Sequence, residues 1–122
     1  MATAATKWHP QAYGSGTHIV TDDTAGPWLY VVIVNPVGDD EAQRQRWHIC
    51  EQLAAYLNGG IRPAWLADMD YDGGDKMVGA DGLEIEACGP LYDANPPHLD
   101  WRRREDEEAK AARAWLMFQL HR

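Results

Sequence analysis

Two hydrophobic periods run along the chain. Residues 17–21 (THIVT) and 28–34 (WLYVVIV) are β-branched and aromatic, and residues 22–27 (DDTAGP) between them are turn formers, so the pattern predicts a β-hairpin. In the second strand Trp28, Tyr30, Val32 and Val34 face one way and Leu29, Val31 and Ile33 the other, so both faces are apolar. Such a strand is expected at the centre of a sheet, covered on both sides. Asn35-Pro36 ends it, and Asp40 with Gln43 has the spacing of a capping box, predicting a helix over 40–57. Ala42, Ile49, Leu53, Tyr56 and Leu57 form its apolar stripe, with Trp47 on the flank, and Asn58-Gly-Gly supplies the stop.

The second half repeats the order strand, strand, helix without repeating the sequence. Residues 64–72 alternate, with Trp65, Ala67, Met69 and Tyr71 opposed to Asp68, Asp70 and Asp72. Residues 82–88 do the same, with Leu83, Ile85 and Ala87 opposed to Glu84 and Glu86. Pairing these two strands directly would put all five acids on one face. After Pro96-Pro97, Asp100 is the expected cap of a last helix running nearly to the C-terminus, with Arg102, Arg103 and Arg104 pairing to Asp106, Glu107 and Glu108 at i,i+4. Ala109, Ala112, Leu116 and Leu120 form one stripe of that helix, suited to covering the sheet. Ala111, Trp115 and Phe118 form another that needs a second contact. The expected fold is one α+β domain over residues 1–122, an antiparallel sheet of about four strands with two helices in the order ββαββα.

Composition narrows the function classes. At 122 residues and 45% apolar content the chain suits one globular core. Its first residues, MATAATKWHPQAYG, contain no apolar signal region, and no run reaches the about 18 apolar residues of a membrane span, so a cytoplasmic protein is expected. Cys50 and Cys88 lack Cys-x-x-Cys spacing and read as reduced, packed thiols. The formal charge of −8 opposes direct binding to nucleic acid or to acidic membranes.

Most of that charge sits in one place. Between residues 67 and 86 seven acids stand against Lys76, giving −6 of the −8. Like charges on a sheet face cost stability, so the clustering points to a cationic partner bound by Asp68, Asp70, Asp72, Asp75, Glu84 and Glu86. Alternate residues on one strand face lie roughly 6.6 to 6.8 Å apart, close to two phosphate rises of DNA, so such a row fits a groove lined by Lys and Arg. The stretch DMDYDGGD also begins like a calcium loop, with Asp68, Asp70, Asp72 and Gly73 at the first, third, fifth and sixth positions. It departs from that pattern at Asp75 and at Gly79, where the loop needs a bidentate Glu. Ser15 in Gly-Ser-Gly reads as a turn, and the five histidines have no ligand spacing. No catalytic residue, metal ligand or cofactor is assigned.

Trp8, the strand Gly-Thr-His-Ile-Val over 16–20 and an acid-started helix ending Leu57-Asn58 resemble the small accessory proteins of tailed phages and prophages. That resemblance implies an anti-CRISPR or other anti-defence inhibitor, active in the bacterial host cytoplasm. The expected function is therefore non-enzymatic inhibition, with an acidic hairpin engaging the basic groove of a bacterial protein or ribonucleoprotein such as a CRISPR effector. Two alternatives stand beside it. One is a structural or assembly protein forming a homodimer or larger oligomer through Trp115 and Phe118, joined by Trp47. The other is a metal-dependent hydrolase or calcium-binding module built on the Asp68–Asp75 cluster.

Overall fold

The computed structural model describes residues 7–13, 17–21, 26–33, 39–91 and 103–122. Ser15, most of the 22–27 turn, the Asn35-Pro36 stop and the expected cap Asp100 lie outside them. Six strands form one antiparallel sheet: β1 (His9–Tyr13), β2 (Thr17–Thr21), β3 (Trp28–Ile33), β4 (Asp70–Tyr71), β5 (Lys76–Val78) and β6 (Leu83–Cys88). Two helices, α1 (Asp39–Leu57) and α2 (Glu107–His121), follow β3 and β6. The sheet order is β1-β2-β3-β6-β5-β4. The chain thus runs through three strands and a helix twice, and the two meanders meet back to back where β3 pairs with β6.

The class is α+β, as expected, but the order among the described residues is βββαβββα rather than ββαββα. Two strands have no alternating signature. β1 (HPQAY) contains a proline, which an edge strand tolerates because its outer amides need no partner. β5 is three residues long and holds one buried side chain, Met77. A third departure is the segment expected to be a strand over 64–72. Residues 64–68 instead form a 3-10 turn after the extended Pro63, and only Asp70–Tyr71 remain strand. Trp65 and Met69 fit a helical spacing as well as an alternating one, but Leu66 falls on the acidic face of an alternating strand, and its burial decides for the turn.

Both helices lie on one side of the sheet. Leu29, Val31, Ile85 and Met77 point into a core completed by Cys50 and Leu53 from α1 and by Leu116, Met117 and Leu120 from α2. Each leucine so buried contributes about 2 kcal/mol. Alternation in β3 holds as expected, but Trp28, Tyr30 and Val32 on its other side are only half-buried, so the expectation of cover on both sides is corrected. The helix stripes hold in part: Ala42, Leu53, Ala109, Leu116 and Leu120 are buried, whereas Ala112 yields its inward position to Arg113.

Arg113 is 1% exposed. Its guanidinium donates to the carbonyls of Gly89 (2.9 Å) and Arg104 (2.7 Å) and to the carboxylates of Asp75 (3.3 Å) and Glu105 (3.2 Å). One side chain thus joins α2, the β4–β5 connection, the end of β6 and the strand-like lead into α2. At the opposite end Tyr56 donates to the carbonyl of Gln119 (2.7 Å) and Arg62 to the carbonyls of Gln119 and Leu120, clasping the C-termini of both helices together.

The start of α2 is later than expected. Arg103 bridges to Leu91 and the Arg104 amide donates to Pro90, which keeps 103–105 extended. Asp106 is the cap, its side chain accepting from the Ala109 amide at 3.0 Å. Arg103 consequently pairs with Asp75, Glu86 and Glu105 instead of Glu107, while Arg104 reaches Glu108 at 3.9 Å and grips Asp106 at 2.8 Å.

Truncating Arg113 to Ala takes the donor from the buried carbonyl of Gly89 and from that of Arg104 and leaves Asp75 with Arg103 as its remaining cation, and is expected to lower stability by about 3 kcal/mol in urea unfolding. The hydrogen bonds from Arg104 and the Ala109 amide hold the Asp106 carboxyl down from 3.8 to about 2. A carboxylate with a lowered folded pKa stabilises above its ordinary value and loses that effect as pH falls through the folded one. Asp106→Asn, which can still accept from Ala109, is therefore expected to flatten the fall in melting temperature between pH 3.8 and about 2, followed by circular dichroism.

Candidate partner-binding surface

The sheet face away from the helices is a mosaic whose rows follow from strand register. One row runs Gln11, Ile19, Tyr30, Glu86, Lys76, and the next runs Val32, Glu84, Val78, Asp70. Apolar and acidic side chains alternate across the second row, while along the strands this face is apolar on β3 and acidic on β6. Glu84 and Glu86 keep the two-residue spacing on β6 that the sequence suggested. Lys76, on the intervening strand β5, separates Glu86 from the edge and forms an ion pair with Glu84 at 3.0 Å. A shallow depression of about 150 Å³ opens between Tyr30, Val32, Lys76, Glu84 and Glu86.

The six acids selected from the sequence fall into three environments. Asp68, Asp70 and Asp72 are exposed near the β4 edge, but they do not project from one side of an extended segment, because Asp68 closes a 3-10 turn and Asp72 lies beyond the two-residue strand. One oxygen of Asp72 accepts from the amides of Gly74 (2.8 Å) and Lys76 (3.3 Å), fixing the β4–β5 turn. Asp75 turns inward to Arg103 (3.2 Å) and Arg113 (3.3 Å). Glu84 and Glu86 remain on the open face, each beside a cation. Arg103 is the second of these, 3.8 Å from Glu86.

The DMDYDGGD stretch therefore does not wrap an ion in the manner of a calcium loop. Its second half is a strand turn, its Asp72 oxygen is engaged by amides, and Asp75 serves two arginines. Among the described residues no three His, Cys, Asp or Glu side chains converge as ligands. Two thiols and one amine among the described residues are muted as nucleophiles. Burial pushes both free thiols, Cys50 and Cys88, up to about 12. The hydrogen bond to Glu84 raises Lys76, holding its amine in the ammonium form.

The aromatic residues set aside for self-association divide as well. Trp115 and Phe118 are 60% and 51% exposed, one turn apart on α2. Phe118 meets His121 edge-on at 6.0 Å, and His121 stacks on Tyr71 of β4 at 4.0 Å, so this patch adjoins the acidic edge. Trp47 is 38% exposed and meets His18 of β2 edge-on at 4.9 Å, in a groove of about 600 Å³ lined also by Ala12, Asp40, Gln43 and Arg44. β2 and β4 are four strand spacings apart, about 19 Å, so Trp47 belongs to a different surface from Trp115 and Phe118.

Sequence reasoning passed over Ile19, Tyr30, Val32 and Val78 on the open face. Alternation had placed Tyr30 and Val32 together but read their side as covered. It also passed over Arg113, although its position four residues after Ala109 and three before Leu116 put a cation on the apolar stripe. Compared with protein-family models, with curated proteins and with solved structures, the chain matches none of them.

Proposed function

We propose that the protein acts by binding rather than catalysis, and that the open sheet face engages a positively charged protein surface. The observation that carries this reading is the mosaic itself. Tyr30, Val32, Ile19 and Val78 offer partly exposed apolar area on the same face as Asp70, Glu84 and Glu86. Specific interfaces combine an apolar, aromatic centre with polar groups that fix register, and a chain of −8 attracts cationic partners from a distance. The carboxylates on β6 already sit opposite Lys76 and Arg103, so exchanging an internal cation for a partner's Lys or Arg requires little new desolvation.

The partner class that fits is a bacterial protein or ribonucleoprotein complex with a basic groove for nucleic acid, such as a CRISPR effector. The resemblance of the first 60 residues to phage accessory proteins supports inhibition as the outcome. Asp68 and Asp72 at the β4 edge extend the negative field beyond the contact, where they act on association rate and salt dependence more than on the bound state.

Capture of partners from bacterial lysate at low and high salt tests this reading. A bound species with a basic surface is expected at low salt and a weaker signal at high salt. The triple variant Asp70→Lys, Glu84→Lys, Glu86→Lys is expected to lose about 2 kcal/mol or more of binding, about thirtyfold, with the fold retained. Unchanged capture by a folded triple variant sinks the reading.

A further inference from the structure

The outward side of α2 carries a pattern independent of the sheet face. At 3.6 residues per turn, Glu107, Ala111, Ala114, Trp115, Phe118 and Arg122 fall within an arc of about 100°, and all six are exposed. The buried residues Ala109, Arg113, Leu116, Met117 and Leu120 occupy the opposite side. The exposed stripe is apolar at its middle, acidic at its start and basic at its end.

We propose that a second copy of this chain docks antiparallel along this stripe, about a two-fold axis passing between Ala114 and Trp115. In that register Trp115 of each copy lies level with Ala114 of the other, and Phe118 with Ala111. Each large ring meets a methyl group, so the backbones can approach while the rings fill the space the alanines leave. The same axis brings Glu107 of each copy level with Arg122 of the other, so both ends of the seam pair opposite charges. A parallel pair would instead oppose Trp115 to Trp115 and Glu107 to Glu107, leaving alanine against alanine. Self-complementarity about one point is the property that an isologous interface requires, and it selects a second copy over an unrelated partner.

α2 spans 15 residues, about 22 Å, which places the contact at the small end of specific interfaces and makes the dimer concentration-dependent. Sedimentation equilibrium on the whole chain is expected to show monomer and dimer in exchange. Trp115→Glu and Ala111→Glu, both at exposed positions, are each expected to raise the dissociation constant at least tenfold with an unchanged circular dichroism spectrum. Register is read by oxidative cross-linking. Ala114→Cys places its two thiols about one residue apart along the seam and is expected to form a disulfide-linked dimer. Ala111→Cys separates them by seven residues, about 10 Å, beyond disulfide reach, and is expected to stay unlinked, as is the unsubstituted chain. A strictly monomeric chain at about 1 mM, the limit for a specific contact of this size, overturns the proposal. So does cross-linking of Ala111→Cys as readily as Ala114→Cys, or a folded Ala111→Glu variant that dimerises like the unsubstituted chain.

Discussion

The second half of this protein is organised around a cation that water does not reach. A guanidinium carries five donors in a fixed plane and cannot shed its charge, so burying Arg113 obliges its neighbours to present acceptors in set directions. Gly89, Asp75 and the adjacent Arg104 and Glu105 meet that demand from three separate stretches of chain. Their positions are tied to one another through the arginine before any apolar contact is counted. Replacing such an ion cluster by apolar residues is often neutral or stabilising, so its presence specifies arrangement more than it adds stability. What it specifies here is where the β4–β5 turn sits relative to α2. It also holds the extended lead that brings Arg103 to the edge of the open face.

This constraint explains how legible the fold was. Residues 17–21, 28–33 and 83–88, helix α1 and the body of α2 carry strong periodicity, and each appears close to its expected place. β1 and β5 are set by long-range pairing, with too few alternating residues to announce themselves. The 64–72 segment failed for a different reason. Its tryptophan and methionine satisfy two periods at once, and the depth in the core of Leu66, which alternation puts on the acidic face, selects the turn. The start of α2 was misplaced because a run of arginines followed by acids supports a helix locally. Arg103 and Arg104 instead find partners and backbone pairing outside it.

The candidate surface was legible in its composition and illegible in its layout. Counting charges located the acids correctly, but only strand order shows that a lysine-bearing strand lies between β6 and the edge. The acidic cluster consequently splits into an internal part around Asp75, a turn-forming part at Asp72 and an outward part at Asp70, Glu84 and Glu86. The apolar component came from β3, whose doubly hydrophobic sequence was taken as a mark of complete burial. A two-layer fold with both helices on one side leaves the second set of those side chains facing outward, among carboxylates.

The two margins of the sheet limit how it can meet anything else. At one, Pro10 lacks the amide that a ladder would use. At the other, β4 ends after two residues. Neither margin offers a long template for strand addition, so β-augmentation and edge-to-edge fibre growth are both disfavoured. Encounters are thereby directed to the flat of the sheet and the outside of the helices, where side-chain chemistry, and not main-chain pairing, decides which molecule stays.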